Sequence, residues 1–209
     1  MGLYHEHILP HVIDCVCGMG RIQHHRALLV PRAQGTVLEV GLGSGLNLPH
    51  YALDRIQRLM AIEPSAGMRR KAQQRIHALG LTPEWIELEG DLIPLPGNSV
   101  DTIVITYTLC TIPDVSKALS EMHRLLKPGG QLLFSEHGKS PDGDVFYWQE
   151  KLTPLWRCFA GGCHLNRDIP TLISDAGFQL RELDQGYIPQ SPRFAGFNYR
   201  GIASVPAEK

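Results

Sequence analysis

The sequence predicts an α/β fold: a doubly wound, mostly parallel seven-stranded sheet with helices on both faces, an antiparallel edge and a helical N-terminal lid. Three observations predict it. Between residues 35 and about 140, short β-branched runs alternate with helical patterns, the signature of βαβ units whose strands lie parallel. Two further strand candidates follow each other near the C-terminus with no helix between them, which suits an antiparallel edge. The chain of 209 residues, 43% hydrophobic, is long enough to bury one sizeable core. A single domain over 1–209 is therefore expected, divided into a lid (1–34), a core (35–140) and a C-terminal flank (141–209).

In chain order, Ile8, Val12 and Val16, with Leu9 and Ile13, recur at helical spacing until Gly18 and Gly20 interrupt it. A second short helix is expected over 21–30. The first strand is predicted at 36–40, with a helix starting near Leu46. The second strand, 58–63, precedes a helix over 65–79 that Ser65 can cap and Gly80 can end. Strands follow at 84–88, 102–106 and 131–135, with a helix at 115–126 between the last two and Pro128-Gly129 as its stop signal. The flank predicts helices at 145–159 and 167–176 and strands at 178–183 and 199–205. Trp148, Trp156 and Phe159 are spaced as the buried stripe of the first of these helices, with a substrate cage as the alternative.

Twenty Lys and Arg against twenty-one Asp and Glu leave a net charge of −1, with no long basic block, so a nucleic-acid partner is not expected. A small-molecule partner is. The five cysteines are odd in number and sparse, which suits free thiols in a reducing, cytoplasmic setting. Neither a signal peptide nor a stable membrane insertion is expected from the hydropathy. The N-terminal amphipathic stretch carries His and Asp on its polar face more than Lys, which favours covering a site over gripping a membrane surface. Cys15 and Cys17, or Cys158 with Cys163 and His164, lack the paired spacing of a structural zinc site, and no metal is expected.

The most informative stretch, Val37-Leu-Glu39-Val-Gly41-Leu-Gly43-Ser-Gly45-Leu-Asn47, lies where the first strand ends. Its glycines permit a tight turn and close approach of a ligand. A dinucleotide fingerprint needs Gly or Ala where Leu46 stands, and Glu39 would repel phosphates. The same carboxylate suits a cationic amino group, held directly or through water. Glu63, at the end of the second strand, can accept from two ribose hydroxyls, and Asp91, after the third, from an adenine amino group, with the Leu92 N–H for a ring nitrogen. Three carboxylates at three successive strand ends form a cage for a cationic nucleoside.

With these motifs in this order, residues 35–134 resemble the class I S-adenosylmethionine-dependent methyltransferases. Leu126-Lys-Pro-Gly-Gly130 before an apolar strand, and Asp101 before Ile-Val-Ile, look like that family's fifth and fourth strands. The resemblance implies a Rossmann-like fold and S-adenosyl-L-methionine as cofactor. It assigns Gly41, Gly43 and Gly45 to the methionine portion, Glu63 to the ribose and Asp91 to the adenine, and Glu39, Asn47, Pro64, Leu92 and Thr106 are expected to bind the cofactor with them.

Over about 35–180, Gly45-Leu-Asn47, Thr108-Leu-Cys110, Glu136-His137, Trp148-Gln149, Pro154-Leu-Trp156, Gly162-Cys163 and Arg167 resemble a methyltransferase-like subgroup of thiol S-methyltransferases and its bacterial relatives. The long hydrophobic anchor of the animal members is not expected here, and His164 stands where they tend to carry another polar residue. A thiol acceptor is the implied substrate, with N- or O-methylation of a lipid head group, quinone or other metabolite, or cofactor binding without turnover, as alternatives. Tyr107, His137 and His164 are the expected catalytic groups, His137 as base or thiol-orienting residue. Thr108, Cys110, Trp148, Cys163 and Arg167 are expected around the acceptor. Arg167 can pair with an acidic acceptor, with Glu150 or with Asp168.

Overall fold

In the computed structural model, which describes residues 4–90 and 92–206, the sheet order is β3-β2-β1-β4-β5-β7-β6. The strands are β1 (Gly35–Val40), β2 (Ile56–Ile62), β3 (Glu84–Trp85), β4 (Val100–Thr106), β5 (Leu126–His137), β6 (Gln179–Tyr187) and β7 (Phe197–Ser204). The first five run parallel, and β7 lies antiparallel between β5 and β6. The strand order reverses between β1 and β4, which opens a crevice at their carboxyl ends.

Alternation along the central strands divides their side chains between two apolar layers. Leu38, Met60, Ile103, Ile105 and Phe134 pack on one face with α4 (Val115–Leu125) and α6 (Ile169–Asp175). Val37, Ala61, Val104 and Leu133 pack on the other with α2 (Gly20–Leu29) and α3 (Ala66–Leu79). Each such large apolar side chain contributes about 1.5–3 kcal/mol when fully buried.

The caps of α3 form as expected. The Ser65 hydroxyl accepts from the Met68 amide at 3.3 Å, and Gly80 ends the helix at φ 64°. Three elements differ from expectation. The glycine loop does not open into an α-helix: Gly45 stands at φ 81° and two short 3₁₀ turns follow, Leu48–His50, which contains Pro49, and Leu53–Arg55. The third strand stops at Trp85 rather than Leu88. It pairs only with β2 at the sheet edge, where Glu84 faces Arg58 (2.6 Å), and the chain then folds back into a Glu89–Leu92 bridge.

The third difference is α5 (Gly143–Phe159), which buries Val145, Gln149 and Thr153 instead of an aromatic stripe. Gln149 accepts from the Ser140 amide (2.8 Å) and donates to Gly138 O (2.9 Å) and Phe194 O (3.1 Å). Satisfying that buried backbone turns the polar face inward. Trp148 and Phe159 are consequently 57% and 62% exposed, and Trp156 is half-buried.

The N-terminal segment is helical: a π-helical turn, Tyr4–Ile8, then α1 (Leu9–Cys17) and α2. Close packing seats it on α3, since a Cβ on Gly67 would come within 2.6 Å of Glu6 O. No helix of the described residues is long and apolar enough to cross a membrane.

Candidate active site

A cavity of about 510 Å³ occupies the crevice at the switch point, within the 300–1,000 Å³ typical of small-ligand sites. The loop after β1 forms its floor. Gly41, Gly43 and Gly45 all have positive φ (77°, 59° and 81°), and a Cβ on Gly41 would come within 2.4 Å of the Thr108 side chain. Glu63, just past β2, lines the cavity with Pro64. One of its oxygens accepts from Gly43 N and the other from Ser65 N, both at 2.8 Å. Each oxygen keeps a lone pair for a ligand hydroxyl.

Beneath the loop lies a buried polar network. Glu39 accepts from Asn47 Nδ2 (2.8 Å) and from the Tyr51 hydroxyl (2.7 Å) and lies out of contact with the cavity. Burial pushes its carboxyl up to about 7, against those hydrogen bonds and the nearby Arg26. Arg26 rises from α2, lines the cavity beside Thr106, and donates to Asn47 Oδ1 (2.6 Å) and Thr106 Oγ1. Its Nε has no partner. Sequence reasoning missed Arg26. The available signal was a cation on the stripe Ile22–Arg26–Leu29, the face that α2 buries.

The lid is tied down by Asp14 on α1, another residue the sequence did not single out. It accepts from Ser44 Oγ in the glycine loop (2.6 Å) and pairs with Arg75 (2.9 Å) and Lys71 (3.3 Å) on α3. Burial raises the Asp14 carboxyl, but Ser44, Arg75 and Lys71 together outweigh it and hold the group below 3.8. Leu9 and Ile13 from the lid, with Ile112 and Pro113 after β4, give the cavity its apolar wall.

Tyr107 and Thr108 also line the cavity. Tyr107 sits at φ 53°, its hydroxyl bonds the Asn198 amide at 2.9 Å, and burial pushes its pKa upward. Cys110, His137 and Cys163 lie beyond the wall, with their ligating atoms within 4.8 Å of one another. His137 Nε2 is 3.1 Å from Cys163 Sγ, and its Nδ1 has no partner. The Cys110 thiol, then the ring N–H groups of His137 and Trp156, bring Cys163 down to about 4. His137 is raised: its burial is outweighed by Cys163 and Glu136.

His164 holds Cys110 O through its amide (2.8 Å) and Nδ1 (3.1 Å), and Arg167 donates to Leu109 O. The structure thus gathers His137, His164, Cys110, Cys163 and Arg167 at the ends of β4 and β5. Trp148 lies apart, on the exposed face of α5. Asp91 lies outside the described residues, and its neighbour Leu92 is half-exposed.

The glycine cradle, a carboxylate with spare acceptor capacity and a guanidinium on the cavity wall fit a nucleoside carrying an amino acid, the form of S-adenosylmethionine. The family described as "Methyltransferase domain" matches residues 38–134. The chain is 31% identical over 160 residues to a phosphatidylethanolamine N-methyltransferase of Cereibacter sphaeroides, covering 76% of this chain and 75% of that protein. It is 29% identical over 170 residues to thiol S-methyltransferase TMT1B of Rattus norvegicus, covering 77% and 69% respectively. Its fold is similar to that of a SAM-dependent methyltransferase from Aquifex aeolicus: TM-score 0.63, 22% identity, 94% of this chain and 98% of that one covered.

Proposed function

We propose that this chain, which belongs to the class I S-adenosylmethionine-dependent methyltransferases, transfers its donor's methyl group to the sulfur of a small thiol. Bound S-adenosylmethionine supplies an electrophilic methyl group on a sulfonium sulfur. The chain's own residues bind, align and exclude water. The glycine loop lets backbone approach the methionine portion, the Arg26 guanidinium on the cavity wall brings a cation to its carboxylate, and Glu63 offers acceptors to the ribose. Leu9, Ile13, Ile112 and Pro113 keep water from the reacting groups.

The character of the cavity wall carries the choice of a thiol. Among the described residues lining it, the titratable groups are Cys17, Arg26, Glu63 and Tyr107. Arg26 is a permanent cation, and Glu63, which burial raises against its two amide hydrogen bonds, has its remaining lone pairs assigned to the ribose rather than to the acceptor. Burial pushes Cys17 up to about 11 and raises Tyr107. No group of this set is poised to take a proton at neutral pH, so the acceptor must ionise readily by itself. A thiol, with an ordinary pKa near 8.5, does so; an alcohol does not. Alignment, rather than a protein base, then supplies the rate.

A second reading, an amine head group, is favoured by the similarity to the phosphatidylethanolamine N-methyltransferase. One assay separates them: purified enzyme and S-adenosylmethionine are offered small thiols, phenols, amines and phosphatidylethanolamine vesicles, with products read by mass spectrometry. The thiol reading expects thioether products and a rate that climbs toward the acceptor's own pKa. Methylation confined to the amines or the phenols sinks it.

A further inference from the structure

Cys110, His137 and Cys163 come from three separate places in the chain: the turn after β4, the end of β5 and the loop between α5 and α6. Each is held. Glu136 accepts from the Thr108 and Leu109 amides (2.7 and 3.0 Å), which fixes the turn carrying Cys110. His164 ties Cys110 O to the loop carrying Cys163, whose own amide bonds Ala160 O at 3.2 Å. His137 is paired in register with Asn198 of β7. The two cysteines and the histidine ring are thus presented by rigid backbone and converge without a disulfide.

The donor set is sulfur, sulfur and imidazole nitrogen, which suits a thiophilic d¹⁰ cation and disfavours the oxygen-seeking Mg²⁺ and Ca²⁺. With metal–sulfur bonds of about 2.3 Å and metal–nitrogen bonds of about 2.0–2.1 Å, ligand atoms of a tetrahedral site lie roughly 3.5–3.8 Å apart. The separations here, 3.1 Å for His137 Nε2 to Cys163 Sγ and at most 4.8 Å for the group, bracket that spacing. Two thiolates balance a divalent charge in a buried place. Trp156 Nε1 points its N–H at Cys163 Sγ from 3.3 Å, the outer contact that steadies a ligating thiolate.

We propose that Cys110, His137 and Cys163 form a three-ligand site for a thiophilic d¹⁰ cation such as Zn²⁺. Each cysteine gives up its thiol proton to solvent as its metal–sulfur bond forms, and a fourth position stays open to water or another ligand. Thr108 and Gly161, two residues from Cys110 and Cys163, line the donor cavity, so an ion here would brace the acceptor side of the site. The site stands independently of the acceptor's identity.

The test uses the full chain, reduced, stripped with chelator and titrated with Zn²⁺ against a chromophoric chelator, with Co²⁺ as a spectroscopic probe. One equivalent should bind, and Co²⁺ should show sulfur-to-metal charge-transfer absorption. Cys110→Ser and Cys163→Ser should each weaken Zn²⁺ binding by more than about 10-fold. Cys158→Ser, at an exposed cysteine outside the cluster, should bind like the unaltered chain. Absence of the charge-transfer band in the unaltered chain overturns the site, and that measurement does not depend on any variant folding. So does equal Zn²⁺ affinity in the unaltered chain and the Cys110→Ser/Cys163→Ser double variant, or loss of binding in Cys158→Ser.

Discussion

Arg26 brings a permanent charge into a place where it has two neutral oxygen partners, one anionic neighbour in Glu39 and one N–H left over. A buried unsatisfied donor costs about 1–3 kcal/mol, and the charge that Arg26 brings to the cavity wall would attract a ligand carboxylate. Arg26→Lys keeps the charge but loses the planar guanidinium that reaches Asn47, Thr106 and the cavity together. Donor affinity measured calorimetrically should fall by roughly 1.5–3 kcal/mol, the range for a hydrogen bond to a charged group. Unchanged affinity would remove Arg26 from the donor site.

Glu39 makes the complementary test. Its folded pKa, about 7, lies above the usual 4.5, so the folded state binds the extra proton. Its contribution to stability is therefore full at low pH and is lost as pH rises from about 4.5 through about 7. Glu39→Gln keeps an acceptor for Asn47 and an N–H for the Tyr51 oxygen. The denaturant stability of the unaltered chain, relative to this variant, should decline across that window. A flat difference would mean that Glu39 titrates normally.

At the scale of elements, one carboxylate joins the lid to two neighbours. Asp14 joins α1 to the glycine loop and to α3 through three partners, each worth about 0.5–1 kcal/mol in a partly exposed setting. Asp14→Ala should weaken donor binding on the order of 10-fold and speed proteolysis between α1 and α2. Unaltered KM and cleavage would show the lid to be held without Asp14. The caps of α3 and the apolar runs of β1, β2, β4 and β5 were legible because local pattern and burial agree there. Two elements were not. The helix predicted near Leu46 fails because Asn47 and Tyr51 turn inward to Glu39. The aromatic spacing of α5 misled because the backbone around Gly138 and Ser140 needs Gln149. Periodicity does not report such demands.

Across the whole molecule, the convergence of the glycine loop and Glu63 on one cavity was readable in one stretch of sequence, since they sit at successive strand ends. The rest was hidden by distance along the chain. Arg26 meets Thr106, and Cys110 meets His137 and Cys163, only once β1, β4 and β5 are aligned. Ligand choice follows from the same assembly. The loop after β1 leads into 3₁₀ turns rather than an α-helix, so the glycine loop itself presents no helix N-terminus to a pyrophosphate, and Glu63 would face one. S-adenosylmethionine at about 100 times its Kd should stabilise the fold by about 2.7 kcal/mol. For a chain of this size that raises Tm by roughly 5–11 °C. NAD at the same concentration should leave Tm unmoved. Equal shifts for both ligands in thermal denaturation would mean that the cavity accepts dinucleotides and that the glycine loop does not select the sulfonium donor.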